Sequence, residues 1–388
     1  MKIPQEFDAI RPWEPEDLPE VFDRLLANEQ FKQVLAYLYP QVPFEMIAKK
    51  LKACKTNLEF QFAFAYDFVK GLLAKVAKGY EMDCTAIDSS KRYTFISNHR
   101  DIVLDSAILD VLLVDNKFTT TCEIAIGDNL LSLPWVKDLV RVNKAFIVER
   151  ALSMRQMLMS SKRLSDYMHF AVKEKNENIW IAQREGRAKD SNDRTQDSLI
   201  KMLTIGANNP DPVQSLKQLN IAPISLSYEF DPNDYLKATE FLMKKKDPNF
   251  KKSQNDDILS MLTGLRGFKG RIHFQFAPCI NDQLDKIPAD LDKQEKIHEI
   301  CRIIDRAIHA NYEIYPCNYI AYDRLNGTTR FADRYTDDDV AYFDKYLNRR
   351  IEKVKVPTND DDKAYMRQRI IEMYANPLIN KLAALGEE

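Results

Sequence analysis

Glycine is scarce in this chain, 10 residues in 388, and apolar positions recur at three- and four-residue steps, so much of it should be helix. The six cysteines, at 54, 84, 122, 279, 301 and 317, form no CxxC pair and no zinc spacing. They read as reduced, buried thiols. No uncharged run reaches the ~18 residues of a spanning helix. The opening MKIPQEFDAIRPWEPEDLPE has no basic segment followed by an apolar core. No secretory signal is expected, and the cytoplasm is the default compartment. A net charge of −2 does not predict nucleic-acid binding, so an electrostatic partner must be met by a local patch. There is no internal repeat and no low-complexity tract. The balance of 45% hydrophobic and 29% charged residues is that of a soluble globular protein.

The periodicity divides the chain. Residues 15–80 read as helices, including "LPEVFDRLLANEQFKQVLAYLY" and the aromatic-rich "LEFQFAFAYDFVKGLLAKVAKGY". The second is either a buried helix or one dipping into a lipid interface. From about residue 92, short β-rich runs appear: "YTFIS" (93–97), "FTTTCEIAI" (118–126), "KAFIV" (144–148), "NIWIAQ" (178–183), "IAPISLSY" (221–228) and "RIHFQFAPCI" (271–280). Helical segments such as 152–175 separate most of them. The alternation predicts an α/β fold with a mixed sheet flanked by helices. The last two runs alternate more and read as antiparallel or near an edge. The end returns to helix. The expected organisation is an N-terminal helical region (1–88), an α/β domain (89–335) and a C-terminal helical segment (336–388).

Ligands of open α/β sheets bind beyond strand ends. The first run ends in "SNHRD", placing His99 after a strand with Asp101 and Asp105 behind it. A histidine with a nearby carboxylate is a candidate general base with its orienting partner. It is equally an ordinary strand-to-helix turn capped by polar residues. The third run ends in "VER" and the fourth in "QREGRAKD", so Arg150, Arg184, Arg187 and Lys189 lie just outside strand ends. Gly186 would let a ligand approach the backbone. Guanidinium groups match phosphate oxygens with paired donors. The structural reading pairs these arginines with Glu185 and Asp190 on a solvated loop. The order of three such clusters in one chain favours a base acting on a phosphate-anchored substrate.

Taken together, "NHRDIVLD", "KAFIVER", "IAQREGRAKD" and "IAPISLSYE" resemble the four ordered blocks of the glycerol-phosphate acyltransferase and lysophosphatidate acyltransferase superfamily. The resemblance covers residues 93–229. It implies catalytic His99 and Asp105, and a phosphate site of Arg150, Glu185, Gly186 and Arg187, with Pro223 central to the last block. It implies an O-acyltransferase of phospholipid synthesis in which His99 removes the proton of a substrate hydroxyl. The acceptor is glycerol 3-phosphate, 1-acylglycerol 3-phosphate or another lyso-lipid alcohol. The donor is a fatty acyl thioester, acyl-CoA or acyl-carrier protein, with no metal and no other cofactor. Peripheral attachment at the inner membrane face follows from the apolar product. One departure is visible. Five residues, not four, separate His99 from Asp105, and the usual place holds Leu104. Asp105 is favoured as partner because "LDSAIL" continues into a helix that Asp101 could cap, and Asp101 remains the alternative. The six lysines of "KATEFLMKKKDPNFKK" (237–252) are either a patch for anionic lipid or an acidic carrier protein, or a solvated helix end. Two other readings differ in class: a metal-dependent phosphohydrolase using His99, Asp101 and Asp105, and a non-catalytic membrane or carrier-protein adaptor. The dispersed His169, His273, His298 and His309 disfavour the first.

Overall fold

β-rich runs of this kind find their hydrogen bonds in a shared sheet. The computed structural model, which describes residues 3–150, 153–207 and 209–387, joins them in one sheet of seven strands. These are β1 (Ala77–Asp83), β2 (Thr94–Ser97), β3 (Cys122–Gly127), β4 (Ala145–Val148), β5 (Asn178–Ala182), β6 (Ile221–Tyr228) and β7 (Gly270–Phe276). Their order is β1-β7-β6-β2-β5-β3-β4. The five strands from β6 to β4 run parallel, β7 is antiparallel to β6, and β1 pairs parallel with β7. The fold is therefore the mixed α/β sheet expected.

Neighbouring strand residues point to opposite faces, and this builds two core layers. Phe95 of β2 packs with the helices Asp67–Val76 and Leu104–Asp115, while Ile96 packs with Met154–Lys173 and Lys293–Ala310. The N-terminal helices Leu18–Ala27, Glu29–Leu38 and Phe44–Ala53 form a separate core against Pro134–Val142. Asp337–Glu352 and Asp360–Leu385 close another over Asp234–Lys246 and Pro316–Asn326. All six cysteines are free, and Cys54, Cys122, Cys301 and Cys317 are buried. Among the described residues no helix is long and apolar enough to cross a membrane.

Several elements differ from expectation. The stretch 58–80 is not one helix. Asn57–Phe60 is followed by a π-helical Gln61–Tyr66, then by Asp67–Val76, and residues 77–83 are the edge strand β1. Tyr80 and Met82 alternate toward the core there, too short a pattern to outweigh the helical one before it. β3 begins at Cys122 rather than 118, and β7 ends at Phe276 rather than 280. The helix expected over 152–175 is Met154–Lys173, and Leu152 lies outside the described residues. The pairing of β6 with β7 is antiparallel, as expected, and β6 is internal to the sheet. Its first seven residues are buried, as a strand covered on both faces requires.

A buried polar cluster ties the sheet to the Lys293–Ala310 helix. The Arg100 guanidinium lies 3.0 Å from Asp193. His309 Nε2 lies 2.9 Å from the Asp193 carbonyl, and Arg194 donates to His309 Nδ1 at 2.9 Å. Nδ1 accepts, so Nε2 donates, and the imidazole is neutral. Burial, reinforced by the Arg194 charge, pushes His309 down to about 4. The unfolded chain, with an ordinary histidine near 6.5, then binds the extra proton between these values. The contribution is whole above pH 6.5 and is lost as pH falls to 4, about 3 kcal/mol in all. Thermal midpoints of the parent and His309→Gln, measured from pH 7 to 4.5, should show a flatter decline in the variant. Parallel curves would contradict the assignment.

Candidate active site

β2 stops at Ser97, and the Asn98 carboxamide continues its ladder. Asn98 Nδ2 donates to the Leu226 carbonyl at 2.9 Å, and Oδ1 accepts from the Leu226 N–H at 2.8 Å. His99 therefore leaves the sheet at a fixed point beside β6. The Trp180 indole stands edge-on to its ring, centroids 5.8 Å apart, and is itself held by an Nε1–H bond to Ser97 Oγ of 3.0 Å.

Residues 100–103 form a turn before the Leu104–Asp115 helix. Asp101 Oδ1 accepts from the Val103 and Leu104 N–H groups at 3.0 and 2.9 Å, capping that helix. Asp105, in its first turn and fully buried, faces back across the turn. Its Oδ2 lies 2.7 Å from His99 Nδ1 and accepts the Arg100 and Asp101 N–H groups at 2.6 and 3.0 Å. The tyrosine of β6, Tyr228, donates its hydroxyl to Oδ1 at 2.8 Å. The structure thus brings His99 to Asp105, while Asp101 serves the helix. The turn absorbs the fifth intervening residue. Burial, and then the Asp105 charge, push the Asp101 carboxyl above the usual range. Nδ1 is occupied, so Nε2 is the nitrogen left for a bound group.

Because β2, β3, β4 and β5 run parallel, the residues after them gather at one sheet edge. His99, Arg150, Glu185, Gly186 and Arg187 all line one cavity there, of about 900 Å³. The Arg150 N–H donates to Asp128 Oδ1 at 3.1 Å, and Nη1 donates to Glu185 Oε1 at 2.8 Å. Gly127 makes room for this arginine. A Cβ there would lie 2.7 Å from Arg150 Nε and 2.6 Å from Asn129 Oδ1. Gly186 has φ +66°, a conformation other residues resist, and faces open space. Arg187 is more enclosed, 7% exposed. With the Asn233 amide oxygen turned toward it, Arg187 Nη1 donates at 3.2 Å.

Lys189 also lines the cavity, 3.2 Å from the buried carboxylate of Glu240. Burial pushes its amine down to about 7. Glu240 also pairs with Lys244 at 2.9 Å and Lys252 at 2.8 Å. Lys237 pairs with Asp231, and Lys246 with Asp362. Most of the charge in the lysine-rich 237–252 segment is therefore engaged within the fold.

A second cavity of about 320 Å³ adjoins the first and shares Val103, Ala107, Val140 and Asn143 with it. Its walls are mainly apolar, with Phe31, Leu35, Phe60 and Phe64 from the N-terminal helices. Gln61, Thr121 and Asn143 are polar members of the lining, and so is Asp110. Burial pushes its carboxyl up to about 7, and it accepts from Gln61 Nε2 at 3.2 Å. Among the described residues no group of three or more His, Cys, Asp or Glu side chains could hold a metal ion.

Pattern reasoning missed Gly127, Trp180 and Tyr228. Gly127 carried a signal, as a rare glycine closing an apolar strand. The other two lie inside strands, where aromatic residues are ordinary.

Comparison with known proteins adds to this geometry. Residues 82–202 match the acyltransferase family model. No curated protein matches the chain. Among solved structures, the 1-acyl-sn-glycerophosphate (LPA) acyltransferase PlsC from Thermotoga maritima matches at 10% identity, over 74% of this chain and 97% of that one. The TM-score is 0.32, a likeness too slight for any residue-level comparison. The chain therefore carries over residues 82–202 a domain of the acyltransferase family, and every site residue read from the sequence, from His99 to Arg187, lies within it.

Proposed function

We propose that this acyltransferase moves a fatty acyl group from a thioester, acyl-CoA or acyl-carrier protein, to the hydroxyl of glycerol 3-phosphate or 1-acylglycerol 3-phosphate. The observation that carries the reading is one cavity lined by both His99, whose Nδ1 is held by the buried Asp105, and Arg150. A base without an anion site would suit many hydrolases. An anion site without a base would suit a binding module.

His99 Nε2 takes the proton of the acceptor hydroxyl as its oxygen attacks the thioester carbonyl. Asp105 holds the imidazole tautomer and stabilises the imidazolium. The tetrahedral intermediate collapses, the C–S bond breaks, and the imidazolium returns the proton to the leaving thiolate. The products are an ester and a free thiol, with no acyl-enzyme. Arg150 meets the acceptor phosphate. Its pair with Glu185 is partly exposed, and such pairs are worth about 0–1 kcal/mol, so a dianion can displace the carboxylate. The adjoining apolar cavity supports a long alkyl chain in one of the substrates. The acceptors and products named are lipids or their precursors, which supports a site of action at a membrane surface on the cytoplasmic side.

Acyl transfer from acyl-CoA and acyl-carrier protein to a panel of glycerol-phosphate acceptors tests the base. His99→Ala should lose at least about 10²-fold in kcat, and Asp105→Asn a comparable amount. Asp101→Ala, which removes the acceptor of the Val103 and Leu104 N–H groups, should act mainly on stability, by about 1 kcal/mol, the size of a helix cap. Parental turnover in His99→Ala would reject the mechanism.

Gly127→Ala tests the anion site without touching a charged residue. The added methyl displaces Arg150, and KM for the phosphate acceptor should rise about 5–10-fold, or ~1–1.4 kcal/mol, with kcat nearly unchanged. A rise in donor KM instead would place Arg150 on the other substrate.

A further inference from the structure

The Asp105 carboxylate is buried, and its two oxygens have different tasks. Oδ2 serves three groups: His99 Nδ1 at 2.7 Å and the Arg100 and Asp101 N–H groups at 2.6 and 3.0 Å. Oδ1 receives the Tyr228 hydroxyl at 2.8 Å. An ionised carboxylate only accepts, so Tyr228 is the donor. Rotation about the Asp Cβ–Cγ bond is soft, with a broad, two-fold profile. The three donors on Oδ2 hold one oxygen, and the carboxylate keeps some freedom to twist about Cβ–Cγ. A donor dedicated to the opposite oxygen removes that freedom.

Tyr228 is well placed for this. It is the last residue of β6, two beyond Leu226, the residue that Asn98 clamps to the end of β2. It is backed by β7, where it pairs with Ile272. The ring is thus fixed to the same strand that fixes the point where His99 leaves the sheet. Burial and the neighbouring Asp105 charge push the Tyr228 hydroxyl well above its ordinary range, so it stays protonated and donating.

We propose that Tyr228 is a positioning residue of the acyl transfer, a third member of a His99–Asp105–Tyr228 chain that sets the carboxylate plane and through it the imidazole. It acts through Asp105 and does not touch substrate. The proposal rests on His99 acting as the base, and the controls below separate the two.

The test compares the parent, Tyr228→Phe, Asp105→Asn and the double variant in the acyl-transfer assay, with His99→Ala as control. Tyr228→Phe keeps the ring and removes the hydroxyl. Its kcat should fall about 10-fold, less than the ~10²-fold that a 1 Å misplacement of a reacting group can cause. KM for both substrates should stay within about two-fold of the parent. In the Asp105→Asn background the same change should have no further effect, since the pair acts as a unit. The His99 Nδ1 proton resonance should move in Tyr228→Phe. Should that variant fold poorly, 3,5-difluorotyrosine at 228 keeps the hydroxyl and strengthens it as a donor, and should also move the resonance. Multiplicative effects in the double variant, or an unmoved resonance in either case, overturn the role of Tyr228 while leaving a His99→Ala loss intact. Parental activity in His99→Ala overturns both the base and its positioning chain.

Discussion

The buried carboxylate of Asp105 is the constraint on which the site depends. It accepts two backbone amides from its own turn, one imidazole nitrogen and one hydroxyl from a strand that begins 116 residues later, if Ile221 is counted from Asp105. An isolated carboxylate in this position would be costly to bury. Four donors, and a place in the first turn of a helix, offset that cost. The same contacts close the turn of residues 100–103, start the helix and aim the histidine. The turn and the His–Asp pair therefore share one carboxylate.

The parallel strands then determine what the histidine can act upon. Each strand contributes one short post-strand segment to the same edge: Asn98–His99 after β2, Asp128 after β3, Glu149–Arg150 after β4 and Arg184–Arg187 after β5. Antiparallel neighbours would have sent alternate segments to the far edge. Convergence of the histidine and several cations is thus a consequence of strand direction, with side chains tuning it locally. Gly127 illustrates the tuning, since a methyl group in its place would evict Arg150 from the position where it meets Glu185.

Much of this was legible in the residues. Apolar β-rich runs separated by helical periodicity announced the sheet, and the polar clusters after them marked the edge where the cavity lies. "LDSAIL" favoured Asp105 and left Asp101 as the alternative; in the fold Asp105 meets His99, and Asp101 accepts the Val103 and Leu104 N–H groups at the helix start. The edge strand β1 was hidden, because its few alternating residues follow a strongly helical stretch and its pairing partner lies almost 200 residues away. Tyr228 was hidden for a different reason. A strand ending in tyrosine is unremarkable until the neighbouring strand's turn is folded against it. Likewise the lysine-rich segment looked like a free basic surface. Glu240 is a local partner within the segment, but Asp231 and Asp362 come from outside it, Asp362 only when the helices pack.

The arginines of the cavity are not equivalent, and burial separates them. Arg187 is enclosed, hydrogen-bonded to Asn233, and contributes with Lys237 to keeping the Asp231 carboxyl below its usual range despite burial. Its charge is already used to hold the loop after β6 against the loop after β5. Moving it onto a ligand would leave buried groups without partners, which is costly. Arg150 is about a third exposed, and its partner Glu185 is two-thirds exposed. Exchange of that carboxylate for a phosphate leaves Glu185 in water, at little cost. An incoming anion therefore has one guanidinium that can turn to it cheaply and another that shapes the wall behind it. On the proposed function, that asymmetry favours Arg150 as the group that turns to the phosphate, with Arg187 holding the wall behind it.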